Sequence, residues 1–227
     1  MSQIKAIVTD IEGTTSSIEF VHKVLFPYSV KILPQYLQQH SQEPEIADIV
    51  KSIKQEIGKP EADLNEVIAT LMAWIKSDRK ITSLKALQGY VWEYGFNQGE
   101  FEGHIYEDAA RNLKLWQQQG IKLYVFSSGS VKAQKLLFAH NQAGDLSSLF
   151  SGYFDTNIGN KKEAQSYHNI AKEIGAEPEN ILFLSDVIAE LDAASSANFQ
   201  TVLLVREGDL PKEVSHQVVK DFDAIFL

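Results

Sequence analysis

An apolar run near the start of the chain, Ile4 to Val8, leads directly into a polar loop. Its short length and β-branched residues are typical of a buried strand. The loop begins with two carboxylates two residues apart, Asp10 and Glu12, followed by a glycine and two threonines. In open parallel sheets, ligands bind at the carboxyl ends of the strands. The stretch therefore favours an α/β sheet with a site at the end of its first strand.

The same loop contains the groups that covalent phosphoryl chemistry needs. Asp10 and Glu12 offer a nucleophile, an acid or base and a metal site, and Gly13 frees backbone N–H groups. The plainer interpretation is a strand that ends in a polar turn, since Asp, Gly and Thr are common in turns. The residues at the ends of the other strands decide between these two interpretations.

Length and composition bound the classes of function. The 227 residues are 44% hydrophobic and 22% charged, which suits one large domain or a domain with an insertion. The net charge of −9 argues against nucleic acid or an anionic membrane as a partner. A small anionic substrate remains compatible with it. The absence of cysteine excludes thiol chemistry. With no N-terminal signal segment and no apolar run near 18 residues, we expect a soluble, cytoplasmic protein. We also expect it to be a monomer.

A long helical block comes after the first loop. Apolar residues recur at helical spacing from residue 18 to about 96, with little strand signal. Pro34 is expected to kink or end the first helix, and Pro44 suits the first turn of the second. The third helix is predicted from about Leu64 to Lys76, and a fourth starts near Ser83.

Strands alternate with helices in the rest of the chain. Strands are predicted at 121–126, near Phe154, at 181–184 and at 200–205, and the segment 221–227 is expected to add an edge element. This alternation predicts a Rossmann-like parallel sheet with right-handed crossovers. We therefore expect an α/β core from residues 1–17 and 97–227, with 18–96 inserted as an all-helical cap over the site.

The second strand leads into Ser127, Ser128, Gly129 and Ser130 at the start of a helix. Hydroxyls and free N–H groups at such a position can bind an anion. Serine is also a favoured helix N-cap, and for this motif alone the cap is the better interpretation.

A lysine and an acid come after the later core elements. Either Lys161 or Lys162 can supply a point charge near a phosphate, although surface lysines are common and spacing does not choose between them. Asp186 ends a strand and is a suitable Mg²⁺ ligand, and Glu190 can orient the metal shell or the lysine. A capping aspartate with a dipole-complementing acid is the alternative. One such group after each successive core element favours a phosphotransfer site.

In that order, the motifs resemble those of the haloacid dehalogenase superfamily of phosphatases. The matching residues are Asp10-Ile11-Glu12-Gly13-Thr14, Ser127-Ser128, Lys161, and Ser185-Asp186 with Glu190. The family's Gly-x-Lys pattern selects Lys161, and the helical block resembles its type 1 cap.

Glu12 departs from the aspartate that most of these phosphatases have. The loop with this glutamate is similar instead to the enolase-phosphatase subgroup of methionine salvage, as are three stretches that extend the resemblance over nearly the whole chain. These stretches are Ser77–Gly89, Tyr124–Phe138 and Asn180–Val187.

The resemblance implies a bifunctional enzyme that enolises 2,3-diketo-5-methylthiopentyl-1-phosphate and then hydrolyses its phosphate to give the acireductone. It implies Asp10 as nucleophile and Glu12 as acid and base, with Mg²⁺ as cofactor. The metal ligands would be Asp10, the backbone of Glu12 and Asp186, with Glu190 behind them. The substrate-binding residues would be Ser127, Ser128 and Lys161.

The base for enolisation stays open, with Glu12 as the economical candidate. The other candidates are Glu19, His22, Arg79, Lys80 and Lys85. Four aromatic residues either line a pocket for the methylthio end or pack inside the cap: Trp74, Tyr90, Trp92 and Phe96.

Two other functions compete with this one. A generic cap-type phosphatase for sugar or nucleotide phosphates would share the core and differ in the cap. A non-catalytic nucleotide-binding or receiver-like module would not need Lys161, and no Gly-x-Gly-x-x-Gly sequence supports dinucleotide binding. A dehalogenase is disfavoured, because Glu12 and a full metal set suit phosphate.

Overall fold

The computed structural model describes residues 3–77, 79, 81–211 and 213–227. These residues form a six-stranded sheet in which all neighbouring strands are parallel, in the order β3-β2-β1-β4-β5-β6. The strands are β1 Ala6–Thr9, β2 Lys122–Phe126, β3 Phe150–Phe154, β4 Ile181–Ser185, β5 Gln200–Leu204 and β6 Gln217–Val219. The predicted α/β class with a Rossmann-like parallel sheet is confirmed.

The helices of the described chain fall into two segments. The first segment holds α1 Ile18–Phe20, a π-helical turn Val21–Leu25, α2 Phe26–His40, α3 Pro44–Glu56, α4 Leu64–Lys76 and α5 Thr82–Asn97. The second holds α6 Glu107–Gln118, α7 Val131–Ala139, α8 Ala164–Ile174 and α9 Ile188–Ser196. None of the described helices is both long enough and apolar enough to span a membrane.

Strand β1 is the centre of the sheet and is buried throughout. Ala6 and Val8 pack on one face with Tyr167 and Ile170 of α8, and Ile7 points the other way and is also fully buried. Burial of both faces is the usual condition of a parallel sheet, which explains the continuous apolar run in the sequence.

The order in which the chain adds strands to the sheet switches from one side of β1 to the other. The chain places β2 and β3 on one side of β1 and then places β4, β5 and β6 on the other. Thr9 is in register with Val125 of β2 and with Leu184 of β4, so the loops after these three strands begin at nearly the same level. Such a reversal is where open α/β sheets bind ligands.

Tyr167 fills the centre of the core beneath the sheet. Its ring makes edge contacts with Phe126, Phe183 and Phe199 at centroid distances of 5.7, 5.1 and 5.6 Å. Its hydroxyl donates to the carbonyl of Lys161 at 2.7 Å. The core thus supports the strands from below and also fixes one residue of the loop ahead of α8.

The described residues divide into two compact units, Met1–Ile18 with Glu102–Leu227, and Glu19–Phe101. The helical unit has its own core, with Leu33, Leu37 and Leu71 among its fully buried side chains. It extends beyond the expected residue 96 to Phe101, because the Phe101 ring packs against Tyr28 at 4.9 Å.

Pro34 lies inside α2 and does not end it, so of the two outcomes expected at this position the end of the helix was wrong, and the kink stays a prediction. Proline removes the N–H that would bond to the carbonyl of Val30, four residues earlier. Val30 is an exposed residue, so water can satisfy its carbonyl there. Burial of Leu33 and Leu37 on either side keeps the helix continuous.

The edge element was predicted too late in the chain. The edge strand is β6, Gln217–Val219, whereas 221–227 contains a short 3-10 helix, Phe222–Ala224. The Asp221 side chain accepts from the N–H of Ala224 at 3.1 Å and begins this turn. Phe222 then stacks on Trp116 at 5.5 Å, which draws the segment onto α6 rather than along the sheet.

Candidate active site

The loop after β1 folds back on itself as a tight turn. The carbonyl of Ile11 accepts hydrogen bonds from the N–H groups of Thr14, Thr15 and Ser16, at 3.1, 3.0 and 2.9 Å. Gly13 has a positive φ of 75°, which an L side chain rarely adopts. A Cβ on this residue would also collide with the carboxylate of Asp186. Gly13 is therefore required both by the turn and by the close approach of the loop after β4.

Lys161 links the loop after β1 to the first turn of α9. Its Nζ lies 2.7 Å from Oδ1 of Asp10 and 2.7 Å from Oε2 of Glu190, with all three side chains nearly buried. Ser185 donates its hydroxyl to the same oxygen of Glu190 at 3.1 Å. Lys162, the alternative that spacing allowed, is exposed.

Glu12 turns toward the loop after β2. The Ser127 hydroxyl is fully buried and donates to Oε2 of Glu12 at 3.3 Å. Ser127 also accepts from the N–H of Gly129 at 3.1 Å, whereas Ser128 is exposed. Ser130 caps α7 by accepting from the N–H of Ala133. The three serines thus occupy three different environments, and capping is the role of the last one.

The carboxylates of the site repel one another. Burial and the charge of Asp10 raise the pKa of Glu12. Burial of the Asp186 carboxyl group and the charge of Asp10 raise the pKa of Asp186 to about 6. Burial and Asp10 also raise the pKa of Glu190. Negative charge is therefore in excess at this edge of the sheet.

Lys161 balances part of this charge. Burial disfavours its ammonium form, but the attraction of Asp10 and Glu190 outweighs this and raises the pKa of Lys161. In the described part of the chain, the ion pairs of the cluster all involve this one lysine. Four carboxylates therefore share one ammonium: Asp10, Glu12, Asp186 and Glu190.

The residues fit a hard divalent cation. The described residues hold no ready-made group of three Asp, Glu, His or Cys ligands. Mg²⁺, however, is commonly bound by one or two carboxylates with water in its other positions. The donors here are carboxylate oxygens in negative excess, and Gly13 leaves room for Asp186 beside the loop of Asp10. Asp10 and Asp186 are the side chains that would hold the ion.

A cavity of about 390 Å³ opens beside Lys161. Its lining is polar and comes from the loops after β2 and after β3 and from the first turn of α9, which suits a phosphorylated ligand. The lining residues are Ser128, Thr156, Asn160, Lys161, Lys162 and Glu190.

Gln134 of α7 is a residue of this region that sequence reasoning missed. It is almost fully buried, and its amide donates to the carbonyls of Gly129 and Phe154 at 2.8 and 2.9 Å. It thereby fixes the loop after β2 to the end of β3. The available signal was a polar residue at a core-facing position, three and four residues before the buried Leu137 and Phe138.

The proposed enolisation bases outside the core have other partners. Glu19 pairs with Lys23 at 2.6 Å on the surface, and the His22 ring packs against Phe26 at 5.7 Å. Arg79 lies 5.5 Å over the Trp74 ring. Lys85 is half-buried and interacts with another group of the protein. Lys80 lies outside the described residues.

The four aromatic residues of the helical unit contribute to its own core. Trp74 and Phe96 are buried, and Tyr90 packs against the core from its edge. The indole N–H of Trp92 donates to the carbonyl of Leu25 at 3.0 Å. These contacts favour the packing interpretation that the sequence left open.

Comparison with known proteins identifies the family of this chain. The model of a hydrolase family, described as haloacid dehalogenase-like hydrolase, matches residues 4–198. Enolase-phosphatase E1 of Pseudomonas savastanoi pv. phaseolicola is 54% identical over 98% of this chain and 97% of its own. Enolase-phosphatase E1 of Serratia proteamaculans is 51% identical over 99% of this chain and 97% of its own. The chain belongs to the enolase-phosphatase E1 family of haloacid dehalogenase-like hydrolases.

Solved structures share the fold of this chain. The UTR4 protein of Saccharomyces cerevisiae superposes with a TM-score of 0.84 at 35% identity, covering 98% of this chain and all of that one. A HAD phosphatase from Thermococcus onnurineus shares the fold, with a TM-score of 0.60 at 17% identity over 97% and 95% of the two chains.

Proposed function

We propose that this protein is a bifunctional enolase-phosphatase, an acireductone synthase of methionine salvage. It would enolise 2,3-diketo-5-methylthiopentyl-1-phosphate and then remove the phosphate to give the acireductone. The observation that carries the proposal is that the loops after β2 and β4 and the loop ahead of α8 all contact the loop of Asp10 and Glu12. A glutamate in place of the second aspartate, and relatives named Enolase-phosphatase E1, favour this substrate over others.

In the phosphatase step, a carboxylate oxygen of Asp10 attacks phosphorus as the bond from phosphorus to the substrate oxygen breaks. Glu12 gives its proton to that leaving oxygen. It then takes a proton from water, which attacks the aspartyl-phosphate and frees Asp10 and inorganic phosphate. Each of these two steps leaves Glu12 in the form that the next one needs.

The phosphate charge is stabilised by fixed groups. Lys161 holds Asp10 in place through its 2.7 Å contact and offsets the negative charge of the incoming phosphate. Ser127 orients Glu12, and the exposed Ser128, which lines the cavity beside Lys161, would bind the phosphoryl oxygens. Mg²⁺ bound by Asp10, Asp186 and the Glu12 carbonyl would reduce the repulsion between nucleophile and phosphate.

The enolisation moves a proton from the carbon next to a carbonyl. The base takes that proton, and the electron pair of the broken C–H bond forms the carbon–carbon double bond as the π electrons of the carbonyl move to its oxygen. The protonated base then returns the proton to this oxygen, which becomes the enol hydroxyl. Glu12 is our preferred base, because it is also the acid–base group of the phosphatase step. The Ser127 hydroxyl orients its carboxylate by donating a hydrogen bond of 3.3 Å to Oε2. Residues 18–96 are proposed to be a cap that excludes water from the enol.

The accompanying properties are part of the same proposal. The site residues are Asp10 and Glu12 for catalysis, with Ser127, Ser128 and Lys161 for the substrate, and Glu190 behind Lys161. The protein would act as a cytoplasmic monomer on a small phosphorylated substrate, without nucleic acid or membrane partners.

The first test follows the enol. With Mg²⁺ and the diketone phosphate, the ultraviolet absorbance of an enol should rise and then decay as phosphate appears. A generic sugar-phosphate phosphatase is the alternative, and a panel of sugar phosphates run in parallel tests it. Phosphate release without any enol, or faster turnover of a sugar phosphate, would sink the bifunctional assignment.

A second test removes the metal and varies the pH. In a chelator, the raised pKa of Asp186 means that the folded state binds a proton that the unfolded chain does not. The ionised Asp186 therefore destabilises the folded state fully above about pH 6. Protonation relieves this destabilisation as the pH falls toward about 4, the ordinary pKa of aspartate. Melting temperature in chelator should therefore depend on pH less steeply in D186N than in the wild type.

The same melting experiment tests the cation. Added Mg²⁺ should raise the melting temperature of the wild-type protein at neutral pH, because it binds the folded state. D186N should gain much less, since it lacks one carboxylate ligand. An equal Mg²⁺ response in the two proteins would contradict the placement of the ion.

A further inference from the structure

Arg206 contacts the nucleophile loop from the segment that follows β5. It lies two residues after β5, and its side chain is nearly buried. The Nε and Nη2 groups both donate to the carbonyl of Thr14, at 2.9 and 2.6 Å. A single backbone carbonyl of the loop is thus held by two donors of one guanidinium.

The guanidinium is itself fixed on every side. Its Nη1 donates to Oδ2 of Asp108 at 2.7 Å, and the same oxygen accepts from the N–H of Phe222 at 2.8 Å. The rings of Tyr106 and Phe222 lie 4.1 and 5.1 Å from the guanidinium carbon. Burial, pairing and stacking leave this side chain little freedom.

Thr14 is closely coupled to the nucleophile. Its N–H donates to the carbonyl of Ile11, the residue after Asp10, at 3.1 Å. The Thr15 hydroxyl donates to the carbonyl of Asp10 at 3.2 Å, and the Thr15 carbonyl accepts from the N–H of Tyr106 at 2.9 Å. A shift of Thr14 would therefore move the whole turn that holds Asp10 and Glu12.

We propose that Arg206 is a positioning residue that sets the nucleophile loop through the Thr14 carbonyl. The inference rests on the proposed function, since it takes Asp10 and Glu12 as the reacting groups. Two donors on one carbonyl fix the direction of that carbonyl as well as its distance. Lysine cannot reproduce this, because its ammonium is a point charge without the planar fork.

The test compares R206A and R206K with R111A. Arg111 also pairs with an aspartate, Asp223, but it is exposed and serves as the matched control. Misplacing a reacting group by about 1 Å costs about 100-fold in rate, so R206A should lose about that factor in kcat. Its KM should change by less than about threefold, since uniform substrate binding is untouched. R206K should be intermediate and R111A unchanged.

Two readouts separate positioning from general stabilisation. Amide hydrogen exchange should speed up in the peptide covering residues 10–17 of R206A, while peptides of β3 and α8 keep their wild-type rates. Guanidinium at millimolar, non-denaturing concentration should fill the space between Tyr106 and Phe222 and restore part of both kcat and protection. Urea and sodium chloride at equal concentration are the controls and should restore neither.

Several outcomes would overturn the inference. They are wild-type kcat in R206A, faster exchange spread over the whole chain, or no change in residues 10–17. If R206A does not fold, R206K decides the matter, and wild-type kcat with wild-type exchange in it refutes the positioning. Should the wild-type protein release no phosphate, the proposed function fails, yet the exchange comparison still shows whether Arg206 holds the loop.

Discussion

Replacing Asp10 by asparagine is expected to abolish phosphate release and leave the protein folded. The amide keeps the size of the side chain but cannot attack phosphorus as a carboxylate. Loss of a covalent nucleophile lowers the rate by at least about 10⁴-fold. Phosphate release from the diketone phosphate, measured in D10N and in the wild type at saturating substrate, gives the comparison.

The fold of D10N should survive for an electrostatic reason. The charge of Asp10 raises the pKa of Glu12, Asp186 and Glu190, so its removal relieves repulsion as well as breaking the contact with Lys161. Its melting temperature should therefore stay near that of D48N, an exposed aspartate of the helical unit that serves as the control. Phosphate release at a near wild-type rate in D10N would mean that another group is the nucleophile.

Local sequence signals were sufficient for most elements. Pro44 occupies the first turn of α3, and α4 begins at Leu64, both as predicted. The start of α4 is fixed locally by a capping box between Asp63 and Glu66. Buried strands such as β4 were visible as short apolar runs because both faces of a parallel sheet are covered. These features depend on neighbours in sequence, and periodicity captures them.

The candidate site was predictable because topology brings strand ends together. The sequence placed a chemical group after each core strand, and the sheet order then sets β1 between β2 and β4. The choice of Lys161 over Lys162 came from resemblance, and burial beside Asp10 and Glu190 agrees with it. The chemical role of each group remains a prediction until the variants are measured.

The features that the sequence did not reveal depend on long-range contacts. Arg206 and Thr14 are 192 residues apart, and no local pattern marks an arginine that binds a distant carbonyl. Gln134 holds the end of β3 in the same way. The sequence also left open whether α2 ends at Pro34, because packing around Leu33 and Leu37 decides this rather than helix propensity.

Lys161 is expected to matter for both stability and activity, and a double variant separates the two. K161M keeps the length of the side chain but leaves Asp10 and Glu190 buried without their shared ammonium. Removing one partner of a buried pair costs about 3–5 kcal/mol in the free energy of unfolding. Denaturant unfolding should show a loss of this size in K161M, with K172M, an exposed lysine of α8, as the control.

Adding E190Q to K161M should recover part of that stability, because one of the two unpaired carboxylates becomes neutral. It should not recover phosphate release, since no charge then offsets the repulsion between Asp10 and the incoming phosphate. Activity that returned together with stability would assign Lys161 a purely structural role. If K161M were as stable as the wild type, water rather than the ammonium would compensate the charges of Asp10 and Glu190. If the Lys161 charge acts on the reaction itself, the double variant should recover stability but not phosphate release.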